Sequence, residues 1–519
     1  MPPTPIELLL PPALDRAATV ALLAERLELK VGRPRTEDRV LLDSFDRRLR
    51  AAGLRAERPA GRGAGKLLTV HEPGVPARRA AVEPAPRHLA SELPPGPVRR
   101  RLAGVLEERA LLPVVRVRSA VVPVAVLNGD AKTVVRLVIE RAEAVQGSKR
   151  IPLAPRLVVQ PVLGYQEEHA RTLRVLRDRL GLEPVARDVY DDAITAVGGR
   201  VESLPSKPRV KLARGTRADA AAAEVLTRLA AIAEANVPGT IADLDTEFLH
   251  DLRVSVRRAR SVLRELKGVH DPAERAHLRA ELKWVQSLTG PVRDLDVQLL
   301  KWDELVAPLA SERAADLEAL RGLLQRRRAR ELTKLRRGLR GKRFAAALAA
   351  WRALATTGPA TEAQPDAATP IEALAAERIR TVYRRMVRDG SAIDDDSPGE
   401  ALHDLRKRGK ELRYLLEMFG GLFEPEVVKP MVATLKDLQD VLGDFQDGEV
   451  EVEMMRALGD DLAVEPGGPA ALMALGPVLD ALLAGQRDAR EHFAGRFAPF
   501  AAGKQRALVR DTFPKRARA

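Results

Sequence analysis

The alternation of apolar and polar positions changes character once along this chain, near residue 205. Before it, LLPVVRVRSAVVPVAVL (111–127) and KTVVRLVIERAEAV (132–145) are β-rich runs that read as strands. Asn128-Gly129-Asp130 between them reads as a hairpin turn, since such residues tolerate the positive φ a tight turn needs. YQEEHARTLRVLRDRLGL (165–182) has helical spacing, so the mix predicts an α+β domain over 1–205. The stretch 198–208, rich in Gly and Pro, reads as a linker. From about 210 the strand signal vanishes, and segments of helical period run on to 519, predicting an all-α domain. The Pro, Thr and Ala content of 355–370 predicts a flexible connector that splits this half.

The second half repeats itself. Shifted by 153 residues, LHDLR at 249–253 falls on LHDLR at 402–406, and the register then holds without a gap. Arg257 falls on Lys410, Arg260 on Arg413, Gly268 on Gly421, Pro272 on Pro425, Gln286 on Gln439, Gly290 on Gly443 and Asp294 on Asp447. Low-complexity helices align by chance on Ala and Leu, not on His, Pro, Gly and Gln. A tandem duplication follows, with one copy over about 215–354 and the other over about 370–519. It predicts two helical bundles related by a pseudo-twofold axis.

Each copy carries two stripes of alternating three- and four-residue spacing. Leu249, Leu252, Val256, Ala259, Leu263 and Leu266 form an apolar seam, repeated by Leu402, Leu405, Gly409, Leu412, Leu416 and Phe419. One position later run His250, Arg253, Arg257, Arg260 and Arg264, and in the second copy His403, Arg406, Lys410 and Arg413, with Lys407 beside them. One residue is about 100° of helix, so these cations flank the core and line a groove. Like charges at such spacing cost about a few tenths of a kcal/mol per pair. A ligand with regularly spaced negative charge reverses that cost, and arginine matches phosphate oxygens with a planar fork. A solvated or salt-bridged face is the plain alternative. It is weakened because both copies keep the stripe while Arg258 faces Glu411 off it.

Lys283 and Lys436 are duplicated cations on the next helix of each copy. Asp294, Asp296, Asp447 and Glu449 look like metal-binding pairs, but read better as caps at the start of a following helix. The run QRRRARELTKLRRGLRGKR (325–343) predicts an exposed basic face that extends the positive field. One histidine per helix beside arginines is a poor metal site.

Composition narrows the classes. The chain has 86 Lys plus Arg against 72 Asp plus Glu, a net +14, with most of the excess before residue 200. That points to a polyanionic partner. Aromatic residues make up 3%, which disfavours stacking on unpaired bases. The absence of cysteine excludes disulfides, thiolate metal sites and cysteine nucleophiles. The tract 466–479 is broken by Gly and Pro, and neither a signal peptide nor a membrane span is read from the sequence, predicting a soluble cytoplasmic protein.

LHDLRVSVRRARSVLREL (249–266) and LHDLRKRGKELRYLLEMF (402–419), with VRDLDV (292–297), resemble the CHAD family over about 210–519. The resemblance implies two four-helix units around a central basic pore, binding of inorganic polyphosphate, and association with polyphosphate granules. It carries over to His250, Arg253, Arg257, Arg260, His403, Arg406, Lys410 and Arg413, with Lys410 in place of an arginine. VLLDSFDRRLRAAGLRAE (40–57) and VVRLVIERAEAV (134–145) are similar to the CYTH, or triphosphate-tunnel, domain that often precedes it. That family's Glu-x-Glu-x-Lys should lie near PIELLLP (5–11), where only Glu7 remains. Its carboxylates hold a metal that activates triphosphate, so their loss implies a degenerate domain without catalysis. Seven cations from Arg16 to Arg47 would still serve anion contact.

The expected polyphosphate-binding set is His250, Arg253, Arg257, Arg260, Arg264, Lys283, His403, Arg406, Lys407, Lys410, Arg413 and Lys436. No catalytic residue, metal or cofactor is expected. The partner is inorganic polyphosphate, without a membrane and with nucleic acid disfavoured, and a homodimer is admitted. A metal-dependent triphosphatase or related CYTH-type enzyme, or a nucleic-acid-binding module, stands as the alternative.

Overall fold

Two long strands with a five-residue turn organise the first part of the chain. Leu112–Leu127 (β7) pairs antiparallel with Thr133–Gln146 (β8), and Asn128 Oδ1 accepts from the N–H groups of Asp130 and Lys132 at 3.2 and 3.0 Å. Ala131 takes the positive φ of the turn, at 56°. The computed structural model describes residues 5–61, 66–73, 75–83, 85–199, 201, 210–356 and 363–515. Most of the linker expected at 198–208 lies outside them. The chain divides into two compact units, Met1–Pro205 and Ser206–Ala519.

In the first unit, eight strands follow the order β1-β10-β8-β7-β3-β4-β5-β6, all antiparallel, with β2 on β7 and β9 on β8. They are β1 (Ile6–Leu9), β2 (Leu29–Val31), β3 (Arg35–Asp43), β4 (Arg55–Pro59), β5 (Leu67–Glu72), β6 (Val75–Ala81), β9 (Lys149–Pro152) and β10 (Arg156–Pro161), besides the central pair. The helices are α1 (Arg16–Ala24), α2 (Arg48–Ala51), α3 (Pro97–Leu106), α4 (Gln166–Arg174) and α5 (Val189–Ala196). The helix expected over 165–182 is α4, continued by one π-helical turn at Val175–Arg179. Leu23, Val122, Val124, Leu137, Ile139, Leu157 and Leu176 share one apolar core, which packs α1 and the π-turn against the sheet. Arg39 of β3 gathers acidic residues from β4 and, across β7, from β8, with Nη2 2.5 Å from Glu140 and Nη1 3.7 Å from Glu57. Arg35 holds Glu37 at 2.8 Å. Two of the seven N-terminal cations are therefore already neutralised.

The second unit is helical throughout: α6 (Ala218–Ala242), α7 (Thr246–Glu265), α8 (Pro272–Leu300), α9 (Trp302–Val306), α10 (Ser311–Asp316), α11 (Glu318–Leu339), α12 (Lys342–Ala355), α13 (Ile371–Gly390), α14 (Gly399–Phe419), α15 (Pro425–Ala463), α16 (Gly468–Ala501) and α17 (Gly503–Thr512). One core unites α6, α7, α8, α13, α14 and α15 through Leu226, Leu252, Val285, Ile379, Leu412 and Leu438. A second joins the start of α11 to α15 and α16 through Leu320, Leu324, Leu458 and Leu475. Gly239 in α6 faces the Phe248 ring so closely that a Cβ there would sit 2.2 Å from it.

Four expectations are corrected. Asp294, Asp296, Asp447 and Glu449 are not caps, because α8 and α15 run unbroken through Gly290-Pro291 and Gly443. Apolar faces packed on both sides of those residues, such as Val285 and Val292, carry the helix across. The basic run 325–343 is half paired rather than wholly an open field, with five of its ten cations in ion pairs. Arg326 meets Glu465 at 2.5 Å, Arg327 meets Asp461, Arg328 bridges Asp243 and Asp296, and Arg343 holds Glu281. Its cations tie α11 and α12 to their neighbours. The described part of the connector, 363–370, is pinned rather than loose: Ala367 is fully buried, and its carbonyl and that of Thr369 accept from the first N–H groups of α6. Finally, the tract 466–479 is interrupted only at its start, by the turn at Pro466-Gly467, and α16 then continues through Gly476 and Pro477. Among the described residues it is the one helix long and apolar enough to cross a membrane by length and composition. Its Ala471, Leu475 and Val478 are buried in the second core.

Candidate functional site

Asp245 starts α7 by accepting from the N–H groups of Glu247 and Phe248 at 3.0 and 3.1 Å. The apolar seam is buried in both copies, from Leu249 to Leu266 on α7 and from Leu402 to Phe419 on α14. That burial rotates the cations one position later to the half-buried edge. The two helices run antiparallel against each other. Arg258 Nη2 lies 2.6 Å from Glu417, and Arg264 Nη2 lies 2.8 Å from Glu411. Burial and the carboxyl of Glu265 push Glu411 up, while the hydrogen bond from Glu411, then Arg264 and Arg378, hold Glu265 low against its burial. A proton shared between the two carboxyls fits this contact.

Between these helices lies a cavity of about 350 Å³. His250, Arg257 and Arg258 line it from α7; Arg406, Lys410, Arg413 and Tyr414 line it from α14; Gln439 and Asp440 line it from α15. Asp251, Val254 and Glu417 complete the wall, leaving five Lys and Arg side chains against three carboxylates. Most of the cations are engaged. Arg258 and Arg413 share Glu417, and Arg406 reaches Asp447 at 3.0 Å. Two are not held by carboxylates. Arg257 rests over the Tyr414 ring at 5.8 Å, with its buried Nε lacking a hydrogen-bond partner. Lys410 makes no hydrogen bond or ion pair among the described residues. Burial, then Arg406 and Arg257 close by, push its ammonium down to about 8.

The other expected cations are placed differently. Arg253 inserts towards α8, its Nη1 donating to the Gln286 carbonyl and to Thr289 Oγ1, both at 2.9 Å, and burial lowers its pKa. Arg260 donates to Gln286 Oε1 at 2.5 Å, and Arg413 donates to Gln439 Oε1 at 3.2 Å. These two pairs are equivalent in the 153-residue register. Arg264 is spent on Glu411 and Glu265. His403 turns to Gln446 of α15, and burial, then Lys407, lower its pKa. Lys407 pairs with Asp404 on the exposed face, and Lys283 and Lys436 are exposed and absent from the cavity wall. The structure therefore brings together His250, Arg257, Arg406, Lys410 and Arg413. Sequence reasoning missed Tyr414, Glu417 and Asp440; the matched glutamines were visible in the repeat, but their role as arginine acceptors was not.

Two places bear on metals. Ligand atoms of Glu247, His250 and Asp251 lie within 4.8 Å of one another at the start of α7, each in further polar interactions, with Arg293 4.0 Å from Glu247. Glu7, the carboxylate that the resemblance to a tunnel domain singled out, is held at 2.6 Å by the fully buried Arg156, which also binds Asp192. A guanidinium on the single carboxylate does not fit a divalent metal there.

Comparison with known proteins gives a family match within the helical unit. A family model described as "CHAD domain" matches residues 224–456. Uncharacterized proteins of Mycobacterium tuberculosis strains CDC 1551 and H37Rv are each 30% identical over 216 residues, covering 40% of this chain and 39% of each relative. The chain thus spans well under half the length of those relatives. The crystal structure of the CHAD domain from the plant Ricinus communis aligns with a TM-score of 0.43 at 20% identity, covering 58% of this chain and 95% of that one. PptA from Streptomyces chartreusis aligns with the same TM-score and identity, covering 54% and 99%. Residues 224–456, which include α7, α8, α14 and most of α15, form a CHAD domain.

Proposed function

We propose that this chain binds inorganic polyphosphate in the α7–α14 cavity and does no chemistry on it. The observation that carries the reading is the pair Arg257 and Lys410, two half-buried cations that line one cavity without a carboxylate partner. Unpaired buried charge is costly, and a chain of phosphate oxygens removes that cost. Counterion release adds affinity that falls with salt. The CHAD domain is linked to polyphosphate in general, which favours this ligand over nucleic acid.

On this reading the repeat is two bundles about a pseudo-twofold axis. The exchange of positions between Arg258–Glu417 and Glu411–Arg264 supports it. The antiparallel sheet unit is a degenerate tunnel domain that is not an enzyme, consistent with Glu7 being tied to Arg156. The protein then works in the cytoplasm at polyphosphate granules, without a membrane. Calorimetry with polyphosphates of increasing length tests the ligand. Wild type binds, Arg257→Ala/Lys410→Ala loses at least about tenfold in affinity with helicity unchanged, and equal affinity in the variant refutes the reading.

A further inference from the structure

Helix α13 carries Arg380, Arg384 and Arg388 at four-residue spacing, along about 12 Å of one face. Helix α17 supplies Arg506 and Arg510, and the cleft between the two helices has a volume of about 580 Å³. Tyr383, Val387 and Val509 form its apolar wall, and among the described residues no carboxylate lines it. Arg506 is aimed by Nε donating to the Ala501 carbonyl at 2.6 Å, and Arg380 by Nη1 reaching the carbonyls of Arg510 and Phe513 at 3.4 Å. Arg388 leans Nε on the half-buried carboxylate of Asp389 at 2.7 Å, which Arg408 of α14 also holds, and Arg510 leans Nε on exposed Asp511 at 2.9 Å, a pair that water screens strongly. Arg384 makes no hydrogen bond or ion pair among the described residues.

The arginine-rich helix α11 has a comparable density of cations and pairs many of them with carboxylates of its neighbours. In the α13–α17 cleft only Arg388 and Arg510 meet carboxylates among the described residues, each that of the next residue in its own helix. Five guanidinium groups converge there, and like charges at i,i+4 repel along α13. The lining cations are all arginine, whose planar fork takes two phosphoryl oxygens at once. Three in line at even spacing match a linear run of negative groups.

We propose that this cleft is a second anion site, taking a ligand with a short chain of phosphoryl groups. Inorganic tripolyphosphate and the tail of a nucleoside triphosphate share that chemistry. The cleft has no lining residue in common with the α7–α14 cavity, so it does not depend on what fills that cavity.

The test is calorimetric titration of the full chain at fixed salt, with inorganic tripolyphosphate and separately with adenosine triphosphate. The proteins are wild type, Arg384→Ala/Arg506→Ala, Arg384→Ala alone, Arg257→Ala/Lys410→Ala, and the surface control Arg330→Ala/Arg337→Ala. Arg384→Ala removes a side chain without partners and adds a good helix former, so it keeps the fold. The expected result is a class of sites weakened by at least about tenfold in the cleft variants and untouched in Arg257→Ala/Lys410→Ala and in the control. Binding of tripolyphosphate alone makes the ligand inorganic; binding of both ligands makes it any triphosphate. Loss in Arg257→Ala/Lys410→Ala alone overturns the cleft and leaves the cavity reading intact. Equal loss in the surface control, or equal displacement by poly-glutamate, also overturns it.

Discussion

Arg258 of α7 meets Glu417 of α14 at 2.6 Å, and the equivalents of these two residues in the other repeat, Glu411 and Arg264, also meet, at 2.8 Å. Both positions are arginine on α7 and glutamate on α14. Two copies of either helix facing each other would set like charge against like. The charge division therefore favours the mixed pairing found within one chain.

Breaking this contact destabilises the helical unit. Arg258 is 4% exposed, so Glu417→Ala leaves a buried guanidinium without its carboxylate, a change worth about 3 kcal/mol. Arg258→Glu/Glu417→Arg recovers part of that loss. Urea denaturation of the single variants and the swap measures the coupling.

If the cavity takes polyphosphate as proposed, its affinity is expected to fall as pH rises through about 8. Lys410 is held near that value by burial and by Arg406 and Arg257, and a bound polyanion raises it, so binding takes up a proton on the alkaline side. Below that range the ammonium is already charged and this effect vanishes. Lys410→Arg flattens the profile between pH 7 and 9, as followed by calorimetry in buffers of different ionisation enthalpy, because arginine stays charged.

Acid weakens the fold through His270. It is 2% exposed, and burial, then Arg275, push its imidazole down to about 4 from an unfolded value near 6.5. The unfolded chain binds the proton first, so stability is full above about 6.5 and falls as pH drops towards 4. The contribution is on the order of 3 kcal/mol. His270→Leu removes that part of the slope in denaturation midpoints measured from pH 7 to 4.

On the proposed reading, the sheet unit is expected to release no phosphate from tripolyphosphate with magnesium or manganese. Arg156 occupies the carboxylate of Glu7, which the resemblance to a tunnel domain singled out. A phosphate-release assay checks this, and turnover that disappears in Glu7→Gln would revive the enzyme reading.

Much of the helical unit was legible in sequence because helical packing is periodic. The seam Leu249 to Leu266 and its repeat follow from spacing alone, and so does the position of the cations beside it. The repeat register also marked Gln286 and Gln439, which the fold turns into acceptors for Arg260 and Arg413. The helix boundaries were less legible. Gly290-Pro291 looks like a break by local propensity, yet apolar contacts on both sides outweigh it.

By itself, the sequence determined the two-part organisation, the duplication and the stripe that bears the cations, since each is a pattern along one dimension. Only the tertiary structure decided which cations are available. Arg253 is drawn to the backbone of α8, Arg264 to Glu411, and His403 to Gln446, while Arg257 and Lys410 face the cavity. The physical reason is that a charge is neutralised by whatever lies within a few ångströms, and those neighbours come from helices remote in sequence.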